Sequence, residues 1–309
     1  MAAWVMIGVP SSAGAHYAGQ ERAPAALRAA GLLDRLRAAG VDITDAGDLP
    51  VTPFAVDRDH PRARNLAAVA RVARQVADAV ASQLAAGLLP LVVGGDCTIT
   101  LGVIAGFRRR YPDVGLIYAD GDADVYPAET SGSVIFDSTG IAHLLGHGTP
   151  ELTGLAGQPP LLQPSRLAIV GSDPREITED GRRFLAETGV SYQEAPAVIA
   201  GPAEAANRAL AAVTPPSGPV VVHFDVDLVD SGDLPLANFP HYDEGIRLEH
   251  AVELLRVLRA HPSFAGLILT EVNPTHDADG SQLDRYINAI VEVLAPAPPS
   301  GEPDNIIRK

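Results

Sequence analysis

Six stretches of the chain are apolar at consecutive rather than alternate positions: Trp4–Val9, Leu89–Val93, Val114–Tyr118, Leu167–Val170, Val220–Phe224 and Leu267–Leu269. Short runs of this kind, rich in Val, Ile and Leu, fit strands buried on both faces. Between them the apolar residues recur at helical spacing, over Ala23–Ala39, Arg64–Ala86, Glu249–Ala260 and Gln282–Leu294. In the second of these, Ala67, Val69, Val72, Val76, Val80 and Leu84 fall on one stripe. Strands alternating with helices predict an α/β fold with three layers, α/β/α, around a mostly parallel central sheet. Neither an internal repeat nor a long linker interrupts the pattern, so residues 1–309 read as a single domain. In such a fold, ligands bind at the carboxyl ends of the strands.

Composition narrows the picture. With 47% hydrophobic residues the chain can bury a large core, and no apolar run approaches the roughly 18 residues of a membrane span. The N-terminus lacks a basic segment followed by an apolar one. The single cysteine, Cys97, precludes an internal disulfide, and a reducing cytoplasm is the expected location. A formal net charge of −15 argues against nucleic acid and anionic membranes as partners, and leans toward cationic substrates or metal ions. The only lysine is Lys309, which excludes a catalytic-lysine mechanism.

The chemistry lies where four of the apolar runs end. Leu89–Val93 is followed by GGDCTITLG, Val114–Tyr118 by ADGDAD, and Val220–Val222 by HFDVDLVD; Leu267–Leu269 leads into TEVNPTHD. In extended chain, alternate residues share a side, so Asp120, Asp122 and Asp124 converge, as do Asp225 and Asp227. Converging carboxylates repel unless water, protons or cations compensate. The stretch is therefore either a solvated loop or a cation site. Cys97 follows a pair of glycines that permits a tight turn, which is expected to set its thiol at a helix N-terminus, where a thiolate is favoured. With Glu271 from the fourth run, these groups suit divalent cations, and shared carboxylates can bridge two of them.

These four stretches, in this order, resemble the arginase, agmatinase and formimidoylglutamase superfamily of ureohydrolases, whose pattern is Gly-Gly-Asp-His, Asp-Ala-His-x-Asp, Asp-x-Asp-x-x-Asp and Glu-x-x-Pro. IGVP at Ile7–Pro10, RAPAALR at Arg22–Arg28 and PAETSG at Pro127–Gly132 look like the family's opening strand, first helix and substrate loop. The resemblance implies a hydrolase of guanidino or amidino C–N bonds with two Mn2+ per subunit, with Fe or a single ion as alternatives. It implies that Cys97 and Asp124 serve one metal, Asp122 and Asp227 the other, and that Asp120 and Asp225 bridge them. A hydroxide between the metals would attack the substrate carbon. Glu271 would hold the substrate's planar cation, with Asp137 as the second catalytic group and Tyr126, Glu129 and Ser131 in the substrate loop. Partners would be a small guanidino or amidino molecule and further copies of the chain, as a trimer or hexamer.

Two departures stand out. The family's two histidine ligands fall at Cys97 and Asp122, and its substrate-loop histidine falls near Phe136 or Asp137. The usual Asn at the start of that loop is Tyr126, which bears on recognition of an amino-acid carboxylate. Four carboxylates and two neutral imidazoles carry four negative charges, matching two divalent ions; five carboxylates and a thiolate carry six. The excess would raise the pKa of bridging water and weaken the Lewis acid. Two rivals follow: a non-catalytic or metal-free paralogue acting in binding or assembly, and a metal-free hydrolase with Cys97 as nucleophile and His223 as base. His143 and His147 have a zinc-compatible spacing, but the glycines around them suggest a surface pair at a helix end. Asp173 and His241 are further candidates for the substrate pocket.

Overall fold

The structure, a computed structural model, describes residues 3–126, 135–215, 218–243 and 245–296. Eight strands form one sheet: β1 (Trp4–Gly8), β2 (Ile43–Asp48), β3 (Leu89–Val93), β4 (Gly115–Ala119), β5 (Leu167–Ser172), β6 (Ser191–Glu194), β7 (Val220–Asp225) and β8 (Phe264–Thr270). Every pairing is parallel, in the order β2-β1-β3-β8-β7-β4-β5-β6. The six apolar runs are the six inner strands. The two edges, β2 with the sequence ITDAGD and β6 with SYQE, carry no apolar run and were not expected. An edge strand is covered less completely, so it needs no continuous hydrophobic stretch.

Side chains along the inner strands divide between two cores. Leu91 and Val93 of β3 face one core and Val92 the other, the period of two that a pleated strand imposes. Helices Leu32–Ala38, Pro202–Val213, Leu248–Ala260 and Ser281–Leu294 cover the first face; Leu66–Ala85 and Ile99–Arg108 cover the second. The three-layer arrangement is the expected one. The helix expected over Ala23–Ala39 is two, Ala23–Ala29 and Leu32–Ala38, because Gly31 between them takes a φ of 87°.

The sheet order places the site. The four strands whose ends carry the motifs, β3, β8, β7 and β4, are four neighbours in the middle of the sheet. Because they run parallel, their carboxyl ends share one rim, with Val93 beside Leu269, Asp225 beside Thr270 and Ala119 beside Phe224.

Candidate metal centre

At that rim a cavity of about 200 Å³ is lined by Cys97, Asp120, Asp122, Asp124, Asp225 and Asp227, together with Tyr126, Asp137 and Glu271. Backbone turns fix the carboxylates. Asp122 N–H donates to Asp120 Oδ1 at 2.7 Å, and Asp227 N–H to Asp225 Oδ1 at 2.9 Å, so in each pair the first aspartate is held by the second residue's backbone. Asp124 sits at a φ of 48°, a conformation costly for a non-glycine residue, and its Oδ2 accepts from Tyr118 Oη at 2.5 Å. Asp227 Oδ1 accepts from Gly121 N–H at 3.0 Å. Cys97 Sγ lies 2.6 Å from Asp225 Oδ2 and 3.9 Å from Asp120 Oδ2.

Burial, reinforced by the neighbouring carboxylates, holds the carboxyls of Asp120, Asp124 and Asp225 well above the usual carboxylate range. Asp122 is pushed up to about 6, again chiefly by desolvation. Asp227 is the exception. Burial opposes its ionisation, but the His241 imidazole, 3.6 Å from Oδ2, and the Gly121 amide bring it below the ordinary value. Burial likewise opposes the charged form of His241, yet Asp227 raises it to about 9.

Cys97 does not behave as its position suggested. It precedes the helix Ile99–Arg108, but its backbone N–H donates to Asp137 Oδ1 at 3.0 Å and Glu271 Oε1 at 3.1 Å, which turns the amide toward carboxylates. Burial, then Asp225, Glu271, Asp120 and Asp137, push the thiol well above its usual value, so the thiolate expected at a helix end is not favoured without a cation. His223 Nε2 is 3.6 Å from the sulfur, but burial lowers His223 to about 3. Thiol and imidazole are thus driven toward neutral forms, the reverse of the ion pair a cysteine nucleophile needs.

Glu271 lines the cavity at a φ of 62°. Its carboxylate is not free: Oε1 accepts from Cys97 and Oε2 from Gln20 Nε2 at 2.6 Å, leaving one lone pair on each oxygen. Ligand atoms of Cys97, Asp137 and Glu271 lie within 4.8 Å of one another. Burial raises both carboxyls, helped at Asp137 by the charge of Asp96 and at Glu271 by that of Asp137. Tyr126 borders the cavity, but its hydroxyl donates to the Glu176 carbonyl at 2.8 Å. Glu129 and Ser131 lie outside the described residues. His241 lines the cavity, whereas Asp173 is paired with Arg175 at 2.7 Å. His143, expected at the surface, is buried, with Nδ1 3.0 Å from the Thr139 carbonyl.

Gln20, His16 and the Asn238–His241 loop also border the cavity. Gln20 and His16 gave no sequence signal, because single polar residues outside any spacing pattern look like ordinary loop residues. Among the described residues no lysine or arginine lines the cavity, so its carboxylates have only His241 as a built-in positive charge. Both ring nitrogens of His241 are buried without a hydrogen-bond partner. A converging set of oxygen and sulfur donors short of positive charge, with a buried imidazole lacking a partner, fits divalent cations.

The comparisons with known proteins agree with this geometry. The family model described as the arginase family matches residues 2–295. The arginase of Bacillus caldovelox is 31% identical over 277 residues, covering 88% of this chain and 91% of that protein. Its solved structure superposes with a TM-score of 0.86 at 28% identity, covering 96% of this chain and 99% of the other. Human arginase-1 is 27% identical, covering 93% of this chain and 90% of its own. The formimidoylglutamase of Bacillus subtilis shares the fold, with a TM-score of 0.76 at 16% identity and coverage of 95% and 86%. The chain belongs to the arginase family.

Proposed function

We propose that the chain hydrolyses a C–N bond of a guanidino or amidino compound, with divalent cations held by Cys97, Asp120, Asp122, Asp124, Asp225 and Asp227. The observation that carries this reading is the delivery of these donors by the ends of β3, β7 and β4, and of Glu271 by the end of β8 between them, to one cavity that Asp137 also lines. Two Mn2+ per subunit is the complement the family suggests, with Fe or a single ion as alternatives. When bound, such cations supply Lewis acidity and make water a nucleophile near neutral pH.

The protein groups then have separable tasks. Glu271 presents the free lone pairs of its two oxygens to a planar cation, the arrangement that binds an amidinium or guanidinium in a fork. Asp137 sits against it across the shared Cys97 amide. Two such carboxyls cannot both ionise cheaply, so the pair retains a proton that can pass to the departing amine. With no described lysine or arginine in the cavity, a substrate carboxylate would find only the His241 imidazole, already facing Asp227, as a described cationic side chain, which favours a substrate other than an α-amino acid. We further propose that the chain acts as one domain and assembles with copies of itself.

The test is release of urea, ammonia or a related amide from a panel of guanidino and amidino compounds. The chelator-stripped chain and the chain reloaded with Mn2+ are compared. The reading expects turnover only in the reloaded protein. A chain that binds no cation and turns over no member of the panel would instead favour a non-catalytic paralogue.

A further inference from the structure

We propose that the two imidazoles missing from the strand-end motifs are supplied from elsewhere in the chain. His223 joins Cys97, Asp120 and Asp225 around one cation, and His241 joins Asp227 around a second. The first of these sites then selects a thiophilic cation. The inference rests on the reading above that the cluster holds cations, and changes which atoms hold them and which metal they prefer.

Around Cys97 all but one of the separations are close to those of ligands on one ion, and the exception, sulfur to Asp225, must open by less than about 1 Å. His223 Nε2 is 3.6 Å from Cys97 Sγ, 3.6 Å from Asp120 Oδ2 and 3.9 Å from Asp225 Oδ2, and the sulfur is 2.6 Å and 3.9 Å from Asp225 and Asp120. A four-coordinate ion with bonds of about 2.0–2.3 Å keeps its ligand atoms roughly 3.3–3.6 Å apart, so small shifts of these side chains complete the set. The His223 ring is held for this task. Nδ1 lies 2.8 Å from Thr100 Oγ1, and the ring stacks on Tyr118 at 3.9 Å with 9° between planes, which leaves Nε2 toward the cluster. Thr270 Oγ1, 3.2 Å from Nε2, has Asp225 Oδ2 as an alternative acceptor at 3.1 Å.

His241 is the second replacement. It is 4% exposed, and neither ring nitrogen has a hydrogen-bond partner. Its Nε2 stands 3.6 Å from Asp227 Oδ2, too long for a hydrogen bond and right for two ligands sharing an ion. Gly121 makes room for the β7 rim and the ring together: a Cβ there would lie 2.6 Å from the Asp227 carbonyl oxygen, 2.9 Å from His241 Cδ2 and 3.0 Å from Nε2. The motif resembled has alanine at that place and histidine at the next. Gly121, Asp122 and His241 therefore read as one change, in which the imidazole moves from the β4 rim to the loop after β7. Asp122, whose Oδ1 accepts from Ala123 N–H at 2.6 Å, need not bind the ion, and the charge of the donor set falls from six to five.

A thiolate and an imidazole beside two carboxylates favour Zn2+ or Co2+ over Mn2+. On binding, the S–H bond of Cys97 and one N–H bond of the His241 imidazolium break, the freed sulfur and nitrogen lone pairs form the bonds to the two cations, and both protons leave to solvent.

The test is X-ray absorption on the full chain loaded with one equivalent of Zn2+, which needs no variant. A sulfur neighbour at about 2.3 Å and the outer-shell scattering of imidazole are expected. Titration with Co2+ should give a thiolate charge-transfer band that Cys97→Ser abolishes. In competition, Zn2+ should displace Mn2+ from the first site. His241→Ala should lower affinity for the second equivalent by about 10–100-fold and leave the first unchanged, and Gly121→Ala should act in the same direction. An oxygen-only shell around Zn2+, or a His241→Ala chain that binds both equivalents as the parent does, would overturn the inference. Hydrolysis with an oxygen-only shell would sink this inference and spare the proposed function; a sulfur- and imidazole-bound cation with no hydrolysis of any compound would do the opposite.

Discussion

Around Cys97 the donors Asp225 and His223 are each held from two sides, whereas around Asp227 the decisive side chain is held only by packing and by the charge of Asp227 itself. In the first half, Asp225 is gripped by the Asp227 amide and Thr270, and His223 sits between Thr100 and Tyr118, all on strands or at the base of a helix. In the second half, His241 comes from a loop and its ring nitrogens are unpartnered. Donors fixed by regular structure are preorganised, and their cation need not supply the ordering; a loop-borne donor is ordered when the cation arrives. The two halves should therefore differ in affinity, in tolerance to substitution and in response to pH.

Breaking the rigid half should have the largest effect. Asp225→Asn removes the carboxylate that meets Cys97, Thr270 and the Asp227 amide. The variant is expected to lose both cations and all metal-dependent turnover, read by metal analysis and product release; retention of a full metal complement would show that the halves are independent. Glu271→Gln should spare metal content but lower kcat/KM by about 10–100-fold, the worth of a charged hydrogen-bonding partner. Unchanged kinetics for every active substrate would remove Glu271 from the site.

A subtler probe leaves every donor in place. Thr100→Val deletes the hydroxyl 2.8 Å from His223 Nδ1. Affinity for the first cation should fall about tenfold while that for the second stays, as measured by calorimetric titration. An equal loss at both would show that the ring's support is not specific to its half.

The smallest effect is on the cation-free chain. Asp122 holds its proton up to about 6 rather than the 3.8 of a free carboxyl, so the native state binds more protons between those values. Its contribution lowers stability as pH rises from about 4 to 6. His241, raised from 6.5 to about 9, contributes stability that is complete below 6.5 and is lost as pH climbs through 9. In thermal melts of the stripped chain, Asp122→Asn should flatten the acidic part of the profile by a few degrees, and His241→Gln the alkaline part. Exchanged or absent windows would contradict the assignment.

How much of this was legible in the sequence depended on whether the signal was local. The six inner strands could be read because burial on both faces demands unbroken apolar runs; β2 and β6, at the edges, do not demand them and went unseen. Asp120, Asp124, Asp225 and Asp227 were legible because alternate residues after a strand must share a side. His241 could be named only as a candidate for the substrate pocket, since its approach to Asp227 depends on how the loop after β7 folds back over Gly121. Gln20 was invisible for the same reason, its contact with Glu271 joining residues far apart in the chain. The state of Cys97 was misread because the helix-end argument counted the turn and left out the carboxylates that surround the sulfur. Tyr126 lies beside the cavity, yet its hydroxyl turns to the Glu176 carbonyl, a direction no sequence pattern carries.

The central claim is that this chain keeps the family's frame and rebuilds its cation centre with His223 and His241. Anomalous diffraction from crystals of the full chain soaked with Zn2+ tests it most directly. The account predicts two peaks in the cavity, one within bonding distance of Cys97 Sγ and His223 Nε2 and one within bonding distance of Asp227 and the His241 ring. Peaks bonded by carboxylates alone, with both imidazoles standing clear, would contradict it.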